Sequence, residues 1–253
     1  MNVILEKRQR TAWITIRRPP LNVLDLPTLR ELQEVLESVS ADDTTDFLVL
    51  CGDGERAFSA GVDVKDHTRE KAPEMLEVVH GVIRKLLALP QITIAVVRGA
   101  CLGGGCELAS SCDFLLASEE SFFATPEIDV GCYPPVAMAR FPSQLGYHRA
   151  AEMILTGRRI TAQEALAIGL VNRVVPAHEL DQALAALLEE LQGKSGAVLR
   201  ITLKGLRETS LKNFSVALKR SEEIYLNELL KTEDVEEGVQ AFLEKRRPNW
   251  RHR

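Results

Sequence analysis

None of the cysteines in this 253-residue chain forms a CxxC pair, and the five, at positions 51, 101, 106, 112 and 132, are too odd in number to pair fully within it. They read as reduced thiols rather than the staples of a secreted fold. The five histidines, at 67, 80, 148, 178 and 252, include no i, i+4 pair to grip zinc from one helix face, so no metal site is expected. No apolar run nears the ~18 residues of a membrane span, and the opening "MNVILEKRQR" carries charge where a signal peptide needs its apolar segment. A cytoplasmic protein without a membrane partner is expected. A basic excess is also missing: the net charge is -5 and the only dense basic cluster is the tail "EKRRPNWRHR", so no nucleic-acid partner is expected. The one glycine-rich stretch, "GGGCEL", fits neither the GxxxxGK[ST] phosphate loop nor the dinucleotide GxGxxG, which disfavours nucleotide chemistry.

What the chain does have is the mix of an ordinary globular protein, 45% hydrophobic and 26% charged, on a length sufficient for a large core. "VILEKRQRTAWITIRRP" reads as two strands about a polar turn, and "PTLRELQEVLESVS" places Leu29, Leu32, Leu36 and Val39 on one helical stripe. Strand, loop and helix then recur: "FLVLCG", a helix from about Glu74 to Leu89, "ITIAVVRG", "DFLLAS" and "SFFATPE". A Pro/Gly-rich loop "PEIDVGCYPPV" and a helix near Ala150 to Leu155 follow. "TAQEALAIGLVNRVVP" has a capping box, Thr161 with Glu164 three residues on, and an exit strand. Beyond about residue 178 the patterns are helical only. This is an α/β chain, divided here into a core, 1–190, and a C-terminal helical region, 191–253, with no long linker, low-complexity segment or close repeat.

The stretch "ACLGGGCELASSCDF" places three glycines between a strand and a helix that carries Glu107. Glycines there permit positive φ and close approach of another molecule, and they leave the helix's first unpaired N–H groups free to receive a developing negative oxygen. Close strand-to-helix packing would use the same residues. A second small-residue loop, "RAFSAGVDVKD", can offer another N–H, and Glu127 stands at the end of a further strand in "ATPEIDVG".

Taken together, "RAFSAGVDVKD", "GACLGGGCELASSCDF", "FATPEIDVG", "LTGRRITAQEALAIGLVNRVVP" and "EGVQAFLEKRRPNW" resemble the crotonase, or enoyl-CoA hydratase/isomerase, family over essentially the whole chain. The resemblance implies a crotonase-like spiral of ββα units with a C-terminal helical trimerisation region, a homotrimer or dimer of trimers, and an acyl-CoA thioester as substrate. It also implies no cofactor, coenzyme A being part of the substrate. Carried over, the oxyanion hole is the N–H groups of Val62 and Gly104, each such donor worth roughly 3 kcal/mol to an enolate-like transition state. Glu107 and Glu127 match the family's two hydratase glutamates, Glu107 activating water as the carboxylate and Glu127 holding the proton delivered to carbon. Side by side in a dry pocket they repel, which keeps one proton available near neutrality, and Glu107's place at a helix N-terminus favours its ionised form.

The resemblance also assigns CoA contacts to Leu21, Ala60, Lys65 and Lys245, the last reaching a neighbouring subunit, with Arg56 a further phosphate candidate. Ser110 and Ser111 lack a suitably spaced His or Asp and read as packing, as do His148 and Cys106. The chain departs from common enoyl-CoA hydratases in two places: "RRPPLNVL" is one residue shorter, and "GCYPPVAMARFPSQLG" replaces a glycine-rich loop with a bulkier, stiffer wall. Both features resemble the subgroup that hydrates cyclic dienoyl-CoA esters such as cyclohexa-1,5-dienecarbonyl-CoA. The same oxyanion hole would also serve an isomerase, a hydrolase or a decarboxylase, and a non-catalytic acyl-CoA or RNA-binding relative is the alternative of another class.

Overall fold

The computed structural model describes all residues from Met1 to Arg253. In chain order the elements are β1 (Val3–Arg8), β2 (Thr11–Ile16), α1 (Leu26–Ser40), β3 (Phe47–Gly52), β4 (Ala57–Ser59), α2 (Ala72–Ala88), β5 (Ile92–Val97), β6 (Ala100–Leu102), α3 (Gly104–Ser110), β7 (Phe114–Ser118) and β8 (Phe122–Ala124). Then come α4 (Pro135–Leu145), α5 (Tyr147–Thr156), β9 (Ile160–Thr161), α6 (Ala162–Ala167), β10 (Arg173–Val175), α7 (Leu180–Gln192), α8 (Gly196–Ser210), α9 (Phe214–Asn227) and α10 (Glu233–Leu243).

The strands divide between two sheets in a regular way. The larger runs β1-β2-β3-β5-β7-β10 and the smaller β4-β6-β8-β9. Each ββ step gives its first strand to the large sheet and its second to the small one, as β3 and β4, β5 and β6, and β7 and β8 do. All the crossovers within the β3-β5-β7 and β4-β6-β8 series are parallel. This is the expected spiral of ββα units. The central strands of the large sheet, β3, β5 and β7, are covered on both faces and are nearly continuous in apolar residues. On β3, Leu48 and Leu50 enter the main core while Phe47 and Val49 enter a second core beneath α7 and α8; on β5, Ala95 and Val97 divide in the same way from Ile92, Ile94 and Val96.

The main core also takes in Phe214, Leu218, Tyr225, Leu230 and Val235 from the C-terminal helices, and residue 190 lies inside α7. The Thr161 capping box forms on both sides: Glu164 N–H donates to Thr161 Oγ1 at 3.1 Å and Thr161 N–H to Glu164 Oε2 at 2.7 Å. No helix is long and apolar enough to cross a membrane.

One segment corrects the sequence reading. Most of "GCYPPVAMARFPSQLG", read as a loop, is α4. Pro135 opens that helix, where no intrahelical N–H is required and a fixed φ helps. Val136, Ala137 and Phe141 are fully buried there, and that burial holds the helix together despite Pro142 within it.

Candidate active site

Strand β6 delivers the chain to α3 through Gly103, whose φ of +52° suits glycine. A Cβ at Gly103 would stand 2.7 Å from Glu127 Oε1, so this residue also leaves room for a carboxylate. A Cβ at Gly104 would fall 2.7 Å from Val62 Cγ2 and 3.5 Å from the Val62 nitrogen, which places the two expected amide donors next to each other. Val62 pairs with Leu24 in a parallel bridge. That bridge uses its neighbours: Leu24 N–H donates to Gly61 O at 2.8 Å and Asp63 N–H to Leu24 O at 3.2 Å. Val62's own N–H therefore turns the other way, and neither it nor the Gly104 N–H donates to a turn, cap or loop acceptor.

Glu107, in the first turn of α3, is only 3% exposed. Burial pushes its carboxyl up to about 7, against backbone N–H groups of Ala137 and Val136 that favour the charged form. Ala137 N–H donates to Glu107 Oε1 at 2.8 Å. The N–H donors that favour its ionised form are those at the start of α4, not those of its own helix as expected from sequence, and burial outweighs both. Glu127, in a 3-10 turn at Pro126–Val130, is half-buried as a residue, yet its Oε2 is enclosed and has no hydrogen-bond partner. Desolvation first, and then the Glu107 charge, hold its carboxyl well above the usual range. The two groups thus share protons near neutrality, with Glu127 the one more firmly protonated.

Two adjoining spaces share Glu127 in their walls. A cavity of about 390 Å³ is lined by Ala60, Val62, Leu102, Glu127, Arg159 and Arg246, among others. Behind it a chamber of about 20 Å³ is bounded by Val62, Gly104, Glu107, Glu127, Tyr133 and Pro135. Such a volume holds roughly one water molecule. Val62, His67 and Glu127 line both spaces.

All four expected catalytic residues therefore converge on one chamber. Of the expected CoA contacts, Ala60 lines the wide cavity and its N–H donates to Leu21 O at 2.9 Å, which puts Leu21 beside it. Lys65, Arg56 and Lys245 are exposed and do not line it. Ser110 and Ser111 are buried and donate to Glu107 O at 3.1 and 2.7 Å, bonds of helix packing rather than of a nucleophile. Cys106 is buried in the main core, whereas His148, expected to be structural, is exposed and meets Tyr147 edge-on.

Sequence reasoning missed His67, His80 and Tyr225, which line the chamber, and Arg159 and Arg246, which line the cavity. His80 is held by Glu222, 142 residues away, so no local spacing could have revealed it. Arg159 belongs to the motif "LTGRRITAQEA", whose paired arginines are its signal in the sequence, and its guanidinium lies 4.9 Å over the Phe122 ring.

A family model described as enoyl-CoA hydratase/isomerase matches residues 6–253. The short-chain-enoyl-CoA hydratase of Clostridium acetobutylicum is 34% identical over 251 residues, covering 97% of this chain and 96% of that protein. The cyclohexa-1,5-dienecarbonyl-CoA hydratase of Thauera aromatica is 30% identical, covering 100% and 97%. Among solved structures, an enoyl-CoA hydratase from Mycobacterium avium subsp. paratuberculosis K-10 superposes with a TM-score of 0.89 at 29% identity, covering 99% of this chain and 98% of that one.

Proposed function

This chain belongs to the enoyl-CoA hydratase/isomerase family, and from that premise we propose that it is a hydratase adding water to an α,β-unsaturated acyl-CoA thioester. The observation that carries the reading is the pair of enclosed carboxylates, Glu107 and Glu127, facing one chamber with the Val62 and Gly104 amides. Water held between the carboxylates gives a proton to Glu107 while its oxygen attacks the β-carbon. Electrons move to the thioester oxygen, which receives the two N–H groups, and the resulting enolate takes a proton at the α-carbon from Glu127. The proton gained by Glu107 replaces, through exchange with solvent, the one Glu127 gave up. No cofactor enters any of these steps.

The CoA portion occupies the wide cavity, with Ala60 in its wall, Leu21 bonded to Ala60, and Arg159 and Arg246 supplying charge for its phosphates. Arg246 is already held by Glu237 and Glu244, so Arg159 is the freer cation. For the acyl group, the finer reading is a cyclic dienoyl ester: the relative from T. aromatica is named for such a substrate, and the one-water chamber walled by Tyr133, Pro134 and Pro135 leaves the ring itself in the wide cavity beside Glu127. Exposed apolar residues on the C-terminal helices, Ile201, Leu206, Val216 and Phe242, support assembly into a trimer or a pair of trimers. The five free thiols suit a reducing cytoplasm.

The test is water addition followed by mass spectrometry, with crotonyl-CoA and cyclohexa-1,5-dienecarbonyl-CoA offered separately. Hydration of the cyclic ester alone supports the whole reading, and hydration of crotonyl-CoA alone keeps the hydratase and removes the cyclic substrate. Silence with both, alongside double-bond migration or release of free CoA, would replace the hydratase with an isomerase or a hydrolase.

A further inference from the structure

The chamber has more polar groups than the hydration step uses. His80, on α2, has no exposed surface, and its Nε2 meets no partner. Its Nδ1 lies 2.5 Å from Glu222 Oε1, on α9, and Arg84 Nη2 reaches the same oxygen at 2.5 Å. Beside it Tyr225, also on α9, is 1% exposed, and its hydroxyl likewise lacks a partner. Both side chains line the chamber that holds Glu107 and Glu127.

The chemistry of these two groups is complementary. Glu222 is kept ionised by His80 and Arg84, so it accepts a hydrogen bond from Nδ1–H and fixes the imidazole tautomer. Burial lowers the His80 pKa, and the neutral ring then presents Nε2 as a bare acceptor. The Tyr225 hydroxyl is a donor, its pKa raised by burial, with only the weakly bonding Cys132 thiol beside it. Tyr225 is positioned by an edge-on contact with Tyr133 at 5.1 Å, and Tyr133 in turn donates to Ser221 O at 2.7 Å. An acceptor and a donor carried by two residues that bound one space match a hydroxyl group, which can give a proton to one and accept from the other. A hydrocarbon acyl chain there would expel water and leave both buried groups unpaired, a heavy penalty.

We infer that His80, held by Glu222, and Tyr225 form a polar end to the acyl pocket that selects an acyl group bearing a hydroxyl. The inference rests on the reading of the chamber as an acyl-CoA hydratase site. It concerns a hydroxyl that the acyl group already carries, distinct from the one that water adds between Glu107 and Glu127.

The test compares two isosteric esters, 4-hydroxybut-2-enoyl-CoA and pent-2-enoyl-CoA, in the wild-type enzyme and in Tyr225→Phe and His80→Leu. The wild type is expected to favour the hydroxylated ester in kcat/KM by at least about tenfold. Each variant should bring that ratio towards unity, chiefly through KM for the hydroxylated ester. Tyr225→Phe keeps the ring packing and so covers the case in which His80→Leu fails to fold. Equal or better use of pent-2-enoyl-CoA by the wild type overturns the inference, as does an equal loss with both esters in the variants. Calorimetric binding of the saturated pair, 4-hydroxybutyryl-CoA and pentanoyl-CoA, reads the same preference without turnover. If neither straight-chain ester is hydrated, that binding ratio alone decides the polar pocket, and the hydratase reading fails only if the cyclic dienoyl ester is left untouched as well.

Discussion

Replacing Gly103 by alanine puts the arrangement of the site under direct stress. The new Cβ would stand 2.7 Å from Glu127 Oε1, and reaching an ordinary contact of 3.4 Å requires the carboxylate to retreat by about 0.7 Å. A misplacement approaching 1 Å in a reacting group costs on the order of a hundredfold in rate, so Gly103→Ala should lose roughly tenfold to a hundredfold in kcat with whichever of crotonyl-CoA and the cyclic dienoyl ester the wild type hydrates. The backbone adds its own cost: φ +52° with ψ -129° is a conformation that a side chain strains by about 1–3 kcal/mol. For a chain of this size that lowers Tm by roughly 2–12 °C. Stopped-flow or absorbance assay of hydration, paired with a calorimetric melt, reads both effects. A variant with wild-type kcat and an unchanged melt would show that Glu127 is not held against Gly103 as described.

Other consequences follow from single contacts. Because Glu107 must be ionised and its pKa is raised to about 7, kcat/KM should fall about tenfold per unit as pH drops below that value, and rise to a limit above it until Glu127 deprotonates; a flat profile between pH 5 and 8 would contradict the assignment. Both carboxyls bind protons in the folded state that the unfolded chain has released, so they favour the fold below pH 4.5 and lose that contribution as pH rises through their folded values. Glu127→Gln should therefore melt higher than wild type at pH 8 while being far less active, and a lower melting point would refute the linkage. Arg207, on α8, donates to the Leu87 and Gln91 carbonyls and bridges Asp113 at 2.6 Å; Arg207→Ala should cost about 1.5–3 kcal/mol in denaturant unfolding. Thr161→Ala, which breaks the capping box, should cost about 1 kcal/mol without changing kcat.

Much of this was legible in the residues because the deciding interactions are local. "FLVLCG" became β3 over Phe47–Gly52, and the Thr161 and Glu164 pair needed only a three-residue spacing. Glu107, Glu127, Val62 and Gly104 were readable through the family motifs, since each motif sits at a strand end that the spiral brings to one place. Three prolines in "YPPVAMARFP" hid α4, because Pro135 at a helix start looks the same in sequence as Pro135 in a loop. His80 and Tyr225 were invisible for another reason: their partners and their shared chamber exist only after α2 and α9 pack around Glu222.

The most direct measurement is hydration turnover of crotonyl-CoA and of the cyclic dienoyl ester by the wild type, Glu107→Gln and Glu127→Gln, with binding of saturated butyryl-CoA measured on the same samples. Loss of at least about a hundredfold in kcat in each variant, with butyryl-CoA affinity within a few-fold of wild type, is the predicted result. Turnover that survives either substitution would contradict a mechanism in which one carboxylate takes a proton from water and the other gives one to carbon.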